Sequence, residues 1–442
     1  MALQRILGTA TALLIGMGVA IGSGIFRTPG DIAGHLRTPW LILLAWVVGG
    51  LIVLMQGMVT AEIATRFPEA GGEYVFLREA YGRFVAFFFG WSYTVFVIGA
   101  GSAVIAIALG EFACELFHVP GEWTGAFAAA SIAAVTGVNV IGLRTGAGTQ
   151  NVLTCLKITA LLGVVVVGFA FGGSPTETTA GLQPTPPSSM LGMWIAAILP
   201  VLWSYDGTTD SVKMAEEVRD VRRALPRAVI GSTVALTLLY ALVNMTLLRI
   251  VPADEMAGLA SVPGEAMFRV FGPSGRTAML LAAILVCLGS ISSTIPATVR
   301  VTFALARDGL TFRFLSKMSK GQAPVPALLT VSAIAIAFSL NRSFRSALDV
   351  YFLASAVLFG LSYGSLILFR ARESSFPANA FRCPFGVVLA SILIVIQGAI
   401  ALHIAIRQPV DALYTVSILV VLGILYFLWR RWSPNPTENP RS

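Results

Sequence analysis

Twelve apolar runs dominate this chain of 442 residues, and each is comparable in length to the path across a lipid bilayer. A membrane-spanning helix needs about 20 apolar residues. Only 12% of the residues are charged and 56% are hydrophobic, whereas soluble domains carry about 25% charged residues. We therefore predict an all-α polytopic membrane protein with a single transmembrane domain over residues 1–442. The predicted spans are 6–35, 39–65, 83–117, 122–141, 150–172, 190–217, 225–250, 274–305, 325–340, 346–370, 386–406 and 410–432.

The distribution of Lys and Arg predicts the orientation, because cytoplasmic loops carry an excess of these residues. With the amino terminus inside, the inner loops contain most of the basic residues, whereas the stretch Gly173–Ser189 contains none. We expect both termini in the cytoplasm of a bacterial cell, with the chain in the cytoplasmic (inner) membrane. The formal charge of +8 then reflects these loops and not binding to nucleic acid.

The first apolar run contains Gly18-Val19-Ala20-Ile21-Gly22-Ser23-Gly24-Ile25-Phe26 near its middle. Each glycine costs about 1 kcal/mol in a helix relative to alanine, so the run predicts a break. Non-helical backbone at this depth is tolerated only where protein or a water-filled cavity surrounds it, and broken helices bind substrate in secondary transporters. Close helix packing through small residues is the alternative.

The sixth run is interrupted by Ser204-Tyr205-Asp206-Gly207-Thr208-Thr209-Asp210. An aspartate at a helix centre in the membrane costs about 2.5–3.5 kcal/mol. Asp206 therefore either lines a polar cavity or caps the half-helix that follows. The two broken runs stand five spans apart, which predicts a five-plus-five inverted repeat. Residues 6–172 form the first repeat, 190–370 the second, and 386–432 two further helices.

Lys157 lies within the fifth run, about 10 Å from its cytoplasmic end. One interpretation is a lysine whose amine reaches back to the headgroups. The other is a fixed cation that ties this helix to the broken first helix and to Ser290, Ser292 or Ser293 of the eighth. A fixed ammonium of this kind replaces a bound sodium ion or couples transport to protons.

Four groups of residues together resemble the amino acid–polyamine–organocation (APC) superfamily, and within it the bacterial relatives of the L-amino acid transporters. The similarity covers about residues 5–370 well. It implies a LeuT-type fold of 12 helices, with helices 1 and 6 broken. The groups are Ile21-Gly22-Ser23-Gly24-Ile25-Phe26; Arg66-Phe67-Pro68-Glu69-Ala70-Gly71-Gly72-Glu73-Tyr74; Trp203-Ser204-Tyr205-Asp206-Gly207 with Glu216-Glu217-Val218 and Leu225-Pro226-Arg227-Ala228; and Ala304-Leu305-Ala306-Arg307-Asp308-Gly309 with Pro324-Val325-Pro326-Ala327-Leu328-Leu329.

The resemblance also implies how an amino acid is bound, and helix physics agrees. Amides at the start of the second half-helix favour the substrate carboxylate, and carbonyls freed by the breaks accept from its ammonium. Trp203 matches the aromatic residue that closes over the substrate, and Lys157 matches the lysine of sodium-independent members. The predicted binding residues are Ala20, Ile21, Gly22, Ser23, Gly24, Ile25, Trp203, Ser204, Tyr205 and Asp206, and the predicted cation group is Lys157, Ser290, Ser292 and Ser293.

Several positions depart from the pattern of the superfamily. Thr208 stands where Trp is usual, which changes the pocket or the inner gate, and no cysteine lies between helices 3 and 4, where animal members link to a partner glycoprotein. We expect no covalent partner subunit, no cofactor and no metal.

The expected function is sodium-independent secondary transport of neutral, small to medium amino acids by exchange or proton symport, because Asp206 is the only acidic side chain expected in the pocket. Transport of cationic amino acids or polyamines, with Asp206 as counter-charge, is the first alternative. A membrane sensor or channel on the same fold is the second. We find no nucleophile–base pair that would indicate an enzyme.

Overall fold

Helices make up nearly all of the computed structural model, which describes residues 8–67, 72–141, 147–173, 190–212, 218–319, 324–373 and 380–432. A helix satisfies its backbone hydrogen bonds internally, which lipid requires of any spanning segment. The helices are α1 (Thr9–Ala20), α2 (Gly24–Leu36), α3 (Pro39–Arg66), α4 (Glu73–Tyr81), α5 (Arg83–Phe117), α6 (Thr124–Ile141), α7 (Ala147–Phe171), α8 (Met190–Tyr205), α9 (Val221–Ile250), α10 (Ala253–Met256), α11 (Val262–Arg307), α12 (Val325–Asn341), α13 (Phe344–Arg372), α14 (Gly386–Arg407) and α15 (Pro409–Trp432).

Each of the twelve predicted spans coincides with helices of the described part of the chain. Among the residues that the structure describes, nine helices are long and apolar enough to cross a membrane alone, and α1 with α2 forms a tenth, bent span. Two shorter apolar helices, α8 and α12, account for the remaining spans. The chain is therefore a multi-pass membrane protein.

The first span is interrupted at the glycine-rich stretch, as the sequence predicts. Helix α1 ends at Ala20, α2 begins at Gly24, and the two axes differ by 52°. In an unbroken helix the carbonyls of Gly18 and Ile21 would accept from amides four residues later. The interruption frees both carbonyls for other donors.

The sixth span is also interrupted as predicted. Helix α8 stops at Tyr205, and a turn over 206–209 follows, in which Gly207 has a φ of +93°. Only glycine adopts this conformation without strain. The predicted continuation of this span includes residues 213–217, which lie outside the described residues.

Three local features do not follow from hydrophobic periodicity. Helix α5 contains a π-helical segment, Tyr93–Ala100, of the kind often found at functional sites. Helix α11 begins earlier than the predicted span and bends at Gly272, whose φ is +65°. The short helix α4 follows α3 at the end of the bundle predicted to face the cytoplasm, which we call the inner end.

A buried ionic cluster holds the inner end together. The carboxylate of Glu62 on α3 is fully buried and pairs with Arg66 and with Arg370 of α13. It also accepts from the backbone N–H of Cys383 at 2.7 Å. One carboxylate therefore joins α3, α13 and the link that leads to α14.

A second polar contact at the inner end joins α4 to the end of α11. Tyr74 and Arg78 both donate to Asp308, at 2.8 and 3.0 Å. Burial, together with the charge of Asp308, raises the pKa of the Tyr74 phenol well above its usual value. Tyr74 therefore stays a neutral donor at physiological pH.

We expect Glu62→Ala to destabilise the purified protein by about 3–5 kcal/mol, because it removes the buried carboxylate that pairs with Arg370 and Arg66. Glu79→Ala is the control, since Glu79 is 43% exposed and pairs with Arg78 at the surface, where a pair contributes about 0–1 kcal/mol. Thermal unfolding in detergent compares the two. Equal melting temperatures would contradict the role of Glu62.

Candidate functional site

A cavity of about 60 Å³ lies where the two interrupted spans meet in the bundle. It is bordered by the break between α1 and α2, the end of α8, the π-helical segment of α5, and parts of α11 and α13. From the breaks it is lined by Val19, Ala20, Gly22, Ser23, Gly24, Trp203, Asp206, Gly207, Thr209 and Asp210. The interruptions therefore form a polar site inside the bundle.

Helices α2 and α8 approach each other closely beside this cavity. A Cβ atom on Gly24 would lie 2.5 Å from Cα of Ser204. The hydroxyl of Ser204 is 3.0 Å from that of Thr28, and it also donates to the carbonyl of Pro200 at 3.0 Å. Glycine at position 24 is thus required by the close contact of two backbones.

The start of α2 points its positive end at the cavity. The first amides of a helix have no partner within it, and Ser23 and Gly24 both line the cavity. A helix amino terminus with free N–H groups favours an anion. The start of α2 is therefore a position that favours an anionic group.

The amine of Lys157 occupies the opposite, negative end of α1. Its Nζ donates to the carbonyls of Gly18 and Ile21 and to the hydroxyl of Ser290, each at 2.9 Å. These three acceptors match the three donors of an ammonium, and a cation is favourable at a helix carboxyl terminus. The side chain is 5% exposed, so the amine is held inside the bundle and does not reach the headgroups.

Ser290 completes this contact by donating to the carbonyl of Ile21 at 3.1 Å. One backbone oxygen therefore receives hydrogen bonds from both α7 and α11. Of the three serines predicted for this group, Ser290 accepts from the amine, whereas Ser293 donates to the carbonyl of Gly289 within its own helix.

Trp203 connects α8 with the break in the first span. Its indole N–H donates to Ser23 at 3.3 Å, and its ring packs edge-on against Tyr351 of α13 with centroids 5.1 Å apart. Tyr351 in turn donates to the carboxylate of Asp206 at 2.8 Å. An aromatic wall thus joins three of the elements that border the cavity.

The predicted binding residues divide into two groups. Ala20, Gly22, Ser23, Gly24, Trp203 and Asp206 line the cavity. The other four, which do not line it, are buried in the packing around it: Ile21, Ile25, Ser204 and Tyr205. Tyr205 points its hydroxyl to the carbonyl of Trp46 on α3, and the carbonyl of Ile21 is engaged by Lys157 and Ser290.

The cavity is more acidic than the sequence indicated. Glu73 of α4 and Asp210 line it together with Asp206, and no basic side chain does so among the described residues. The expectation that Asp206 is the only acidic side chain there is wrong. Glu73 lies more than 100 residues away in the chain, so spacing alone gave no signal that would place it here.

Ion pairs lie between the cavity and the end of the bundle predicted to face outward, which we call the outer end. Arg27, one turn beyond Ser23 on α2, pairs with Glu111 of α5 and with Asp31. Its guanidinium also stacks on Phe344 of α13, 4.8 Å from the ring centre. These contacts tie α2, α5 and α13 together over the cavity.

Comparison with known proteins identifies the family. Residues 7–428 match the family described as amino acid permease. The chain belongs to the amino acid permease family. This membership, within the APC superfamily, confirms the resemblance and implies the LeuT-type fold of 12 helices.

The relatives of this permease include named amino acid transporters. It is 27% identical over 437 residues to the b(0,+)-type amino acid transporter 1 of Mus musculus, which covers 97% of this chain and 88% of the relative. It is 28% identical over 306 residues to the serine/threonine exchanger SteT of Bacillus subtilis, covering 69% and 68%. An uncharacterised transporter of Mycobacterium tuberculosis is 30% identical over 380 residues, covering 82% of each chain. The function of this chain is therefore secondary transport of amino acids.

The contact between Gly24 and Ser204 gives a test of the site. We expect Gly24→Ala to destabilise the permease by about 1–3 kcal/mol, the usual cost of overpacking, and to reduce amino acid uptake. Gly34→Ala on the same helix is the control, because its Cβ would meet only Ala257 at 3.9 Å. Uptake and melting temperature are measured for both, and equal losses would contradict the close-contact argument.

Proposed function

We propose that this permease carries small neutral amino acids across a bacterial cytoplasmic membrane without sodium, by exchange or by proton symport. The observation that carries the proposal is the paired arrangement at the first break. The amino terminus of α2 faces the cavity, while the carboxyl terminus of α1 is occupied by Lys157. The substrate carboxylate binds the free amides at the start of α2, and its ammonium binds on the acidic side of the cavity.

Sodium independence follows from the position of the Lys157 amine. Its charge already lies against the carbonyls of Gly18 and Ile21 and the hydroxyl of Ser290. Unwound backbone carbonyls are also what coordinates a sodium ion at the break of a transporter helix. The ammonium therefore takes the place of a bound cation at this position.

The size of the cavity favours substrates with short side chains. A bound water needs about 10–15 Å³ of such space, so a cavity of about 60 Å³ holds only a few groups of that size. Only the smallest amino acids, such as alanine, suit this volume.

The location and assembly of the permease belong to the same proposal. The basic residues at the inner end support cytoplasmic amino and carboxyl termini. Cys114 lies within α5 and is buried, which supports transport without a covalently attached partner subunit. The lipid bilayer and the amino acid are the partners that the proposal requires.

The acidic lining supports transport of cationic amino acids as a second candidate. Glu73, Asp206 and Asp210 all border the cavity, and a substrate ammonium or guanidinium on a longer side chain would extend towards them. This candidate differs from the first in the size and charge of the substrate and not in the class of function.

A substrate panel separates the two candidates. Proteoliposomes loaded with unlabelled amino acids are assayed for uptake of labelled alanine and labelled arginine, with and without a proton gradient. We expect alanine to be exchanged faster than arginine, because the cavity is small. Faster exchange of arginine, with an Asp206→Asn variant that shifts the preference to alanine, would support the cationic candidate.

Removal of the Lys157 amine tests the second part of the proposal. We expect Lys157→Ala to reduce exchange by about tenfold or more, since hydrogen bonds to a charged group contribute about 1.5–3 kcal/mol each. Replacing sodium by choline should leave wild-type exchange unchanged. Lys317→Ala is the control, because Lys317 is exposed at the inner end.

Monodisperse elution of Lys157→Ala in detergent shows that the variant is folded, and Lys157→Met, which retains the apolar stem, serves as a second variant. Wild-type exchange by a folded Lys157→Ala protein would refute the role of the amine. Stimulation of the wild type by sodium would refute sodium independence.

A further inference from the structure

A second cavity of about 250 Å³ lies at the outer end, apart from the central one. It is bordered by the ends of α2 and α14 and by the starts of α8 and α13. All four of these helix ends belong to the outer side in the predicted topology. The six titratable or basic residues that line it are Asp31, His35, Arg345, Asp349, His403 and Arg407.

Asp349 is the buried anion of this cavity. Asp349 is only 7% exposed, and its Oδ2 atom has no hydrogen-bond partner among the described residues. A buried carboxylate oxygen without a donor is costly. Asp349 therefore supplies a binding position for a group that donates hydrogen bonds and carries positive charge.

The same cavity also presents cations. Arg345 and Arg407 line it from α13 and α14 and are exposed, and neither forms a salt bridge within the described part of the chain. A ligand with only a negative charge would be repelled by the Asp349 carboxylate, and a ligand with only a positive charge would be repelled by the two guanidinium groups. A ligand that carries both charges satisfies the two sets together.

We propose that the outer cavity binds a zwitterion, with its ammonium at Asp349 and its anionic group at Arg345 and Arg407. A free amino acid and a phosphatidylethanolamine headgroup share this chemistry. Asp31 and Phe344 line the cavity and also contact Arg27. The bound zwitterion thus lies beside the ion pairs that cover the central cavity.

Equilibrium binding to the full-length protein in detergent tests this site, with labelled alanine as the probe, a choice that rests on the proposed function. We expect Asp349→Asn and Arg407→Gln each to lower the affinity of the outer site about tenfold, the scale of one lost charge-assisted hydrogen bond. Arg407→Lys should retain part of the affinity. Glu122→Gln removes an exposed outer carboxylate away from the cavity and should bind like the wild type.

Val97→Phe separates the outer site from the central one, because Val97 lines the central cavity and a larger ring would fill it. Alanine binding that depends on Asp349 should survive in Val97→Phe. If all alanine binding to the wild-type protein depends on Asp349, and Val97→Phe does not alter it, then alanine binds in the outer cavity and not in the central one. That result supports the outer site and refutes the proposed central alanine site.

A lipid-binding experiment distinguishes a free amino acid from a lipid headgroup as the bound zwitterion. Protein reconstituted in vesicles with phosphatidylethanolamine is re-extracted, and the bound lipid is quantified by mass spectrometry. Loss of phosphatidylethanolamine from Asp349→Asn and Arg407→Gln, with unchanged alanine binding, supports the site with a headgroup as its ligand. The proposal is overturned if both variants bind alanine and phosphatidylethanolamine as Glu122→Gln does.

Discussion

The ammonium of Lys157 on the carbonyls of Gly18 and Ile21 is the interaction on which the rest of the site depends. Breaking a helix inside a membrane exposes backbone oxygens that lipid cannot satisfy. The lysine satisfies two of them with one buried cation and anchors α1 to α7, and Ser290 adds α11 to the same contact. Two carbonyls that the break frees are therefore satisfied from within the protein, while Ser23 and Gly24 at the start of α2 line the cavity.

The two helix ends that face each other at this break carry opposite partial charges. The carboxyl terminus of α1 carries a partial negative charge and holds the lysine, whereas the amino terminus of α2 carries a partial positive charge and faces the cavity. Gly24 allows α2 to lie against Ser204 of α8. At this break the end of α1 therefore contacts the lysine, and the start of α2 borders the cavity.

Polar clusters at the two ends of the bundle differ in composition. Glu62 at the inner end is fully buried with its arginines, while Arg27 at the outer end shares its charge between two carboxylates and the ring of Phe344. Alternating access requires contacts of this kind to open in turn. The two clusters connect the elements that border the cavity to the helices that surround it.

The sequence by itself determined the spans, both interruptions and the family, because long apolar runs and mid-span glycines or aspartates have few stable solutions in lipid, but it left open whether Lys157 is buried or reaches the headgroups. Only the tertiary structure decided which carbonyls the lysine takes and that Glu73 joins Asp206 at the cavity. It also decided that Tyr205 and Ile21 turn into the packing and that Asp349 faces an outer cavity. These facts depend on contacts between residues far apart in the chain, and such contacts leave no periodic pattern in the sequence.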